Sequence, residues 1–246
     1  MKPFLFIFFC LDIWSAAAQD KNQFYALDAH MNQTVLDSSK YILWIHQKDS
    51  AHWQWDYYYT WGSLVKSTNY ADHDGTLLNG RFCLYNSAGF LDSTGVFERG
   101  RKNGSFVKFR TYRKDSLVEI KEYDYLQDSL ISITDLTNQK DTDTTDEKES
   151  EYPGGLPQWT SFLIHNLIYP ERAQNKEIQG QVRIRFMVET DGTVSDPYIE
   201  KSVEYSLDQA TLDLIIKSGK WVPGTKKGIA VKTYKVQPVN YRLETQ

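Results

Sequence analysis

The stretch that decides the fold is residues 181–189, Gln-Val-Arg-Ile-Arg-Phe-Met-Val-Glu. Its apolar residues alternate with two arginines and a methionine, which is the period of two expected of a strand with one buried face. The apolar set is Val182, Ile184, Phe186 and Val188. The stretch contains no proline, so it can donate hydrogen bonds on both sides. We therefore predict that it is the central strand of a sheet.

Two further alternating segments flank this strand in the predicted sheet. Asp191-Gly192 follows it directly. This pair is a strong hairpin signal, because a primed turn needs positive φ. The returning strand is then residues 194–203, and the last strand of the chain is residues 231–243. Each of these two strands contains one proline, which cannot donate to a ladder, so we expect both at the sheet edges.

Helical patterns lie before and between the strands. Ser206 begins a capping-box pattern, and apolar residues follow at helical spacing up to Gly219, where a C-cap glycine is common. A helix over residues 157–168 carries an apolar stripe, and Pro170 begins a second short helix. The predicted fold class is therefore α+β: a C-terminal three-stranded antiparallel sheet with helices on one face.

The order and spacing of these residues resemble the C-terminal domain of the TonB energy-transducer family, in its Bacteroidetes form. The resemblance begins at a Tyr-Pro-Gly-Gly motif, residues 152–155, and includes Tyr169-Pro170, Leu207-Asp208 and the Trp-x-Pro-Gly motif. We assign a structural role to Gly180, Asp191, Gly192, Ser206, Trp221, Pro223 and Gly224.

The resemblance implies that the last strand pairs with a short segment of an outer-membrane receptor. Residues just before the Tyr-Pro helix would help to hold that segment. The implied receptor-binding residues are Asn166, Tyr169, Pro170, Val231, Lys232, Thr233, Tyr234, Lys235, Val236 and Gln237. Pro238 interrupts donation on one side, so we expect pairing to be best before it.

The implied partners are TonB-dependent outer-membrane receptors and, if the chain is anchored, an inner-membrane proton-motive-force complex. A further partner would be a second copy of the chain, in a homodimer. The residues offer no catalytic constellation, because Asp191 belongs to the turn, Asp208 to the helix cap, and His165 is a lone helical histidine. We expect no enzyme activity, no cofactor and no metal site.

Composition and the N-terminus indicate an exported protein. The chain has 246 residues, 41% of them hydrophobic, and a net charge of −4. This is typical of a globular protein of one or two domains and argues against nucleic acid as a partner. Residues 1–18 combine Lys2, an apolar run and an Ala-Ala-Ala site, which predicts a secretory signal peptide. The expected location is the periplasm or cell envelope of a Gram-negative bacterium. An uncleaved membrane anchor is the alternative.

Residues 19–137 are predicted to be β-rich. The sequence Asn79-Gly-Arg-Phe-Cys-Leu-Tyr85 recurs as Asn103-Gly-Ser-Phe-Val-Lys-Phe109. Strands joined by glycine-rich turns at this period suggest stacked hairpins over residues 74–135. The pattern resembles the MORN-type repeats of bacterial antitoxin-like proteins. Cys83 lies on one of these strands and is expected to be a small core residue.

The aromatic residues between Trp53 and Trp61 have two interpretations. They could form a sugar-stacking platform, but the packed faces of a β-meander also favour aromatic residues, and we prefer this interpretation. Residues 138–151 are polar and charged and are expected to be a linker. Residues 152–246 then form the TonB-like domain.

Two functions remain open. The first is a cell-envelope protein that binds outer-membrane receptors by β-strand addition in energy-coupled transport. The alternative is a periplasmic β-rich binding or scaffold module with no energy transduction. A glycan-active enzyme is the least favoured, because no paired carboxylates flank the aromatic cluster.

Overall fold

The computed structural model describes residues 22–111, 116–137 and 146–243. The predicted signal peptide, residues 1–18, lies outside the described residues, and so do residues 138–145 of the predicted linker. The described chain consists of a large N-terminal antiparallel sheet and a C-terminal α+β unit. The predicted fold class is confirmed.

The N-terminal sheet is a meander with strands in chain order, except that a short strand, β7, pairs only with β6. Its strands are β1 (Asn22–Leu27), β2 (Tyr41–Asp49), β3 (His52–Tyr59), β4 (Leu64–Tyr70), β5 (Leu78–Tyr85), β6 (Leu91–Glu98), β7 (Arg101–Lys102), β8 (Gly104–Thr111), β9 (Leu117–Leu126) and β10 (Ser129–Asp135). A 3₁₀ turn, Leu36–Ser38, lies between β1 and β2.

The two segments with similar sequences both fall on strands. Asn79-Gly80 lies inside β5, and Gly104 is the first residue of β8. The predicted glycine-rich turns therefore do not fall on the Asn-Gly pairs, because Asn79-Gly80 lies within β5 and Asn103 directly precedes β8. Gly95 in β6 has a different role, because an added Cβ would come within 2.3 Å of the Phe106 ring on β8. The assignment to MORN-type repeats stays a prediction.

The C-terminal sheet has the predicted strand order. The central strand is β12 (Gly180–Val188), between β13 (Val194–Lys201) and β16 (Thr233–Tyr241), and both pairs are antiparallel. The predicted apolar face is completely buried, with Val182, Ile184, Phe186 and Val188 each at 0% exposure. Alternation thus identified both the central strand and its buried face.

Three helices accompany this sheet: α1 (Gly155–Asn166), α2 (Glu171–Asn175) and α3 (Tyr205–Lys217). The predicted cap of α3 is wrong. The N-cap is Glu204, whose side chain accepts hydrogen bonds from both the backbone N–H and the hydroxyl of Ser206. Ser206 lies inside the first turn because a carboxylate two residues earlier already satisfies this N–H. Gly219 follows the end of α3 with φ of +75°.

A small third sheet corrects two further predictions. It consists of β11 (Glu147–Lys148), β14 (Gly224–Lys226) and β15 (Ile229–Val231). Val231 therefore belongs to a hairpin that precedes the last strand. Residues 146–151, which we assigned to the linker, are part of the folded unit: Lys227 N–H donates to the Asp146 carbonyl at 2.9 Å, and Ser150 is 1% exposed.

The β12–β13 hairpin forms as predicted but with a longer turn. Only Gly192 has positive φ (+83°), so Asp191 does not adopt the primed-turn conformation. The Asp191 side chain instead accepts from the Thr193 N–H at 2.9 Å and pairs with Lys220 at 3.1 Å. An added Cβ at Gly192 would lie 2.2 Å from the Trp221 carbonyl oxygen, so the turn and residue 221 are in close contact.

The N-terminal meander packs against the second face of the C-terminal sheet beside β12 and β13. The Tyr85 hydroxyl donates to the Ile199 carbonyl at 2.8 Å, and the Leu64 N–H donates to the Ser202 hydroxyl at 2.7 Å. Arg185 of β12 pairs with Glu119 of β9 at 2.6 Å. One hydrophobic core includes residues of both parts. Sequence alternation predicted helices on one face of this sheet but did not indicate what packs against the other.

Candidate peptide-binding edge

The C-terminal sheet has two outer edges, and they differ in what they contact. The outer edge of β13 already meets the meander: Ser202 N–H donates to the Gly89 carbonyl at 2.8 Å, and Lys201 forms an isolated bridge with Phe90. Among the residues that the structure describes, β16 pairs only with β12, and no backbone hydrogen bond reaches its outer side. The edge that is open to another strand is therefore that of β16.

The position of Pro238 fixes which groups of β16 face outward. The nine-pair register between β12 and β16 has no shift, although Pro238 opposite Arg183 has no N–H. An uninterrupted ladder requires the proline nitrogen to point away from β12. Since strand residues alternate, the N–H groups of Tyr234, Val236 and Asn240 also point away from β12. The proline interrupts the outer row of donors and leaves the inner ladder intact.

Side chains of β16 divide between two environments. Odd-numbered residues share the helix-covered face: Val239 and Tyr241 are buried, and the Tyr241 hydroxyl lies 3.0 Å from that of Thr211 in α3. Even-numbered residues share the face of Arg183 and Arg185. Tyr234 is among these and is 51% exposed, with its ring 5.9 Å from the Arg185 guanidinium. An added strand would therefore place alternate side chains over each face.

The receptor-binding residues predicted near the start of β16 have contacts of their own. Lys232 pairs with Glu189 at 2.7 Å, and Lys235 pairs with Glu149 at 2.9 Å. The side-chain amide of Gln237 donates to the Pro238 carbonyl at 3.2 Å. Thr233, Tyr234 and Val236 complete the first part of the strand. Val231 and Lys232 precede β16, so the open edge begins at Thr233.

The predicted residues near the Tyr-Pro helix lie elsewhere. Tyr169 contacts the last residue of β16, with its ring 5.3 Å from that of Tyr241, and its hydroxyl donates to the Ile178 carbonyl. Asn166 ends α1 and donates to the Phe162 carbonyl, and Pro170 is the N-cap of α2. Tyr169 and the start of β16 are thus separated by nearly the length of the strand, about 27 Å for its eight residue steps.

Sequence reasoning missed a groove beside the first half of β16. Its volume is about 210 Å³, and its lining includes Tyr152, Leu156, Trp159, Trp221, Lys235 and Gln237. Trp159 and Trp221 are buried, with ring centroids 5.3 Å apart, and Trp221 also packs against Phe186. The apolar stripe of α1 was the available signal. It predicted packing of the helix, but it could not show that the helix N-terminus borders the free edge.

A buried polar cluster connects the domain to the meander. The Asp208 carboxylate, 0% exposed, accepts from the Ser202 hydroxyl at 2.5 Å and from the Val203 N–H at 3.1 Å. Tyr58 of β3 also hydrogen-bonds to it. Burial raises the pKa of Asp208 from 3.8 to about 7, against the opposing effect of these hydrogen bonds. Asp208 was assigned to the cap of α3, and the sequence carries no sign of its contact with Tyr58.

The described residues hold no group of three or more acidic, histidine or cysteine side chains arranged for a metal ion. His46 pairs with Asp56 at 3.0 Å. His165 is exposed on α1, and Cys83 is buried. In the same part of the chain, none of the helices is both long enough and apolar enough to span a bilayer.

The C-terminal unit defines a class of protein domain: a small α+β domain whose sheet keeps one edge open. Residues 165–243 match the family described as Gram-negative bacterial TonB protein C-terminal. These residues form a TonB C-terminal domain, as the sequence resemblance implied. Helix α1 lies almost wholly before the matched range.

One relative is Protein TonB of Pseudomonas putida, which is 38% identical over 69 residues. That match covers 26% of this chain and 28% of the relative. The NMR solution structure of the Helicobacter pylori TonB C-terminal domain is 22% identical, with a TM-score of 0.30, and the match covers 39% of this chain and 91% of that chain.

Proposed function

We propose that this chain is a cell-envelope protein that binds outer-membrane TonB-dependent receptors by strand addition to β16, in energy-coupled transport. The observation that carries the proposal is the unpaired outer edge of Thr233–Tyr241 among the described residues. An extended receptor segment would form main-chain hydrogen bonds there. The domain orders and aligns the segment, and no chemical step is involved.

A further observation supports this edge over the other. The opposite edge strand, β13, is bridged to Phe90 at Lys201, and the next residue, Ser202, donates to the Gly89 carbonyl. The size of the edge also suits a reversible contact. A few ladder bonds contribute about 1 kcal/mol each. Micromolar affinity requires about 8 kcal/mol, so after the cost of ordering a free peptide these bonds give micromolar affinity at most.

The test is the substitution Val236→Pro. The Val236 N–H faces outward, so the proline removes one donor to an added strand without removing a bond to β12. The matched control is Val236→Thr, which keeps the N–H and favours strands. We expect Val236→Pro to weaken binding to the periplasmic segment of a receptor by about tenfold, as measured by isothermal titration calorimetry. We expect Val236→Thr to bind like the wild type.

Circular dichroism melting of each variant shows whether the fold is kept. Equal affinity of a folded Val236→Pro variant and the wild type would contradict strand addition at this edge. If the proline variant melts well below the threonine variant, Tyr234→Cys provides the second measurement. Its side chain is exposed at the edge, and failure to crosslink to a bound receptor segment would also contradict the proposal.

A second candidate is a β-rich binding or scaffold module without energy transduction. It is favoured by a row of edge-to-face ring contacts that crosses the meander outside the TonB-like domain. The centroid distances are 5.9 Å for Phe82–Phe97, 5.5 Å for Phe97–Phe106 and 5.3 Å for Phe106–Tyr125. Cargo uptake that requires this chain and stops when the proton-motive force is collapsed favours the first proposal. A binding role that persists after collapse favours the second.

A further inference from the structure

We propose that the groove between α1 and β16 selects the receptor segment, by taking a large apolar side chain from the added strand. The proposal rests on the proposed strand addition and specifies the chemistry of the partner: an extended peptide with an aliphatic or aromatic residue opposite Lys235 or Gln237. Residues 152–164, which include most of the helix that forms one wall, lie outside the range matched to the TonB C-terminal family.

The register of β16 directs a partner's side chains into this groove. Lys235 and Gln237 have side chains on the helix-covered face, and both line the groove. Their own N–H groups point inward, so each would form a non-hydrogen-bonded pair with an added antiparallel strand. In such pairs the Cα atoms are about 4.5 Å apart and the side chains are close. The side chain opposite either residue therefore extends over the groove.

The lining of the groove favours an apolar occupant. Trp159 and Trp221 are buried at its base, and Leu156 is 74% exposed at its rim. An exposed leucine beside a cavity of about 210 Å³ adds apolar surface that a partner side chain can cover. The groove is large enough for one aromatic side chain. Covering this surface adds affinity that the main-chain bonds alone do not provide.

Charges at the rim restrict the neighbouring positions of the peptide. Glu149 and Glu151 lie at this corner, and the ammonium group of Lys235 is paired with Glu149. The rim therefore carries more negative than positive charge. A peptide with an acidic residue next to the apolar one would be repelled, and a basic residue there would be attracted.

The experiment uses a display library of random nine-residue peptides selected on the full chain, with the Val236→Pro variant as counter-selection. The groove variant is Leu156→Gln, and the matched control is Ile164→Gln. Ile164 is on the same helix and is 75% exposed, but it does not line the groove. We expect enriched peptides with an apolar residue at a fixed position. We expect Leu156→Gln to weaken their binding about tenfold and Ile164→Gln to leave it unchanged.

The outcomes separate this inference from the proposed function. Two results would overturn the role of the groove and leave strand addition standing. In the first, the peptides need the β16 edge but show no preference for an apolar residue. In the second, Leu156→Gln selects peptides with the same apolar preference as the wild type. If no peptide discriminates against Val236→Pro, both proposals fail. Analytical sedimentation tests whether a second copy of the chain occupies the edge. A wild-type dimer that is dissociated by Val236→Pro would overturn the proposal that the occupant is a receptor peptide.

Discussion

At the residue scale, Asp208 gives the chain an unusual dependence of stability on pH. Its pKa is raised from 3.8 to about 7 by burial between α3 and the meander. The neighbouring carboxylate of Glu204 also raises it. Between these two values the folded state binds a proton that the unfolded state has lost. The contribution of this group to stability is therefore fully present below about pH 4 and is lost as the pH rises to 7.

We predict that the free energy of unfolding contributed by Asp208 falls between pH 4 and pH 7, by up to about 1.4 kcal/mol per pH unit. Urea unfolding of the wild type and of Asp208→Asn across this range measures it. The asparagine can still accept from Ser202 and Val203, but it cannot titrate. The difference in stability between the two proteins should change with this slope. A difference independent of pH would show that Asp208 is ionised in the folded state throughout.

Individual residues of the C-terminal unit also show what the sequence could and could not predict. Val182 and Phe186 were placed correctly because alternation is a property of neighbouring residues. Asp208 was placed in a cap because its local sequence fits one, and Ser206 was made the N-cap for the same reason. The actual cap, Glu204, is only two residues from Ser206, but its ion pair with Arg172 and the contact of Asp208 with Tyr58 depend on residues brought together by the tertiary fold. Local patterns do not contain that information.

At the element scale, the turn between β12 and β13 is the most constrained glycine position of the C-terminal sheet. Gly192 has φ of +83°, and an added Cβ would approach the Trp221 carbonyl to 2.2 Å. Gly219, after α3, has a similar φ of +75° but nothing within 4 Å of an added Cβ. The two positions share the backbone conformation and differ in crowding.

We predict that Gly219→Ala lowers the free energy of unfolding by about 1 kcal/mol, the cost of a left-handed conformation for alanine. Gly192→Ala should lower the free energy of unfolding by about 1–3 kcal/mol more than Gly219→Ala does, because the backbone at Trp221 must also move. Chemical denaturation of both variants measures the difference. Equal losses would mean that the turn relaxes away from Trp221 without cost.

Elements with strong local patterns were predicted, and elements defined by distant contacts were not. The central strand, both edge strands and α3 follow from alternation and helical spacing. The small sheet of β11, β14 and β15 has strands of two or three residues. Such strands are too short for a period to show. This is why Val231 was placed in the last strand and Glu147 in the linker.

At the scale of the whole molecule, the meander and the C-terminal unit share a core, and the fold leaves β16 as the open edge of the smaller sheet. The sequence predicted a β-rich first half but gave no sign that it packs against the sheet's second face. Hydrogen bonds from Leu64 to Ser202 and from Tyr85 to Ile199 connect the meander to β13 and the residue that follows it. The meander therefore restricts access to the other edge at Ile199, Lys201 and Ser202, and among the described residues no such backbone contact reaches the outer side of β16.

The central claim is that a partner strand pairs with the outer side of β16. Amide hydrogen exchange of the full chain, followed by NMR with and without a bound receptor segment, tests it most directly. The outward N–H groups of Tyr234 and Val236 should exchange quickly in the free chain and about tenfold or more slowly in the complex. The inward N–H groups of Lys235 and Gln237 should be protected in both states. Saturating peptide that leaves exchange at Tyr234 and Val236 unchanged would contradict the claim.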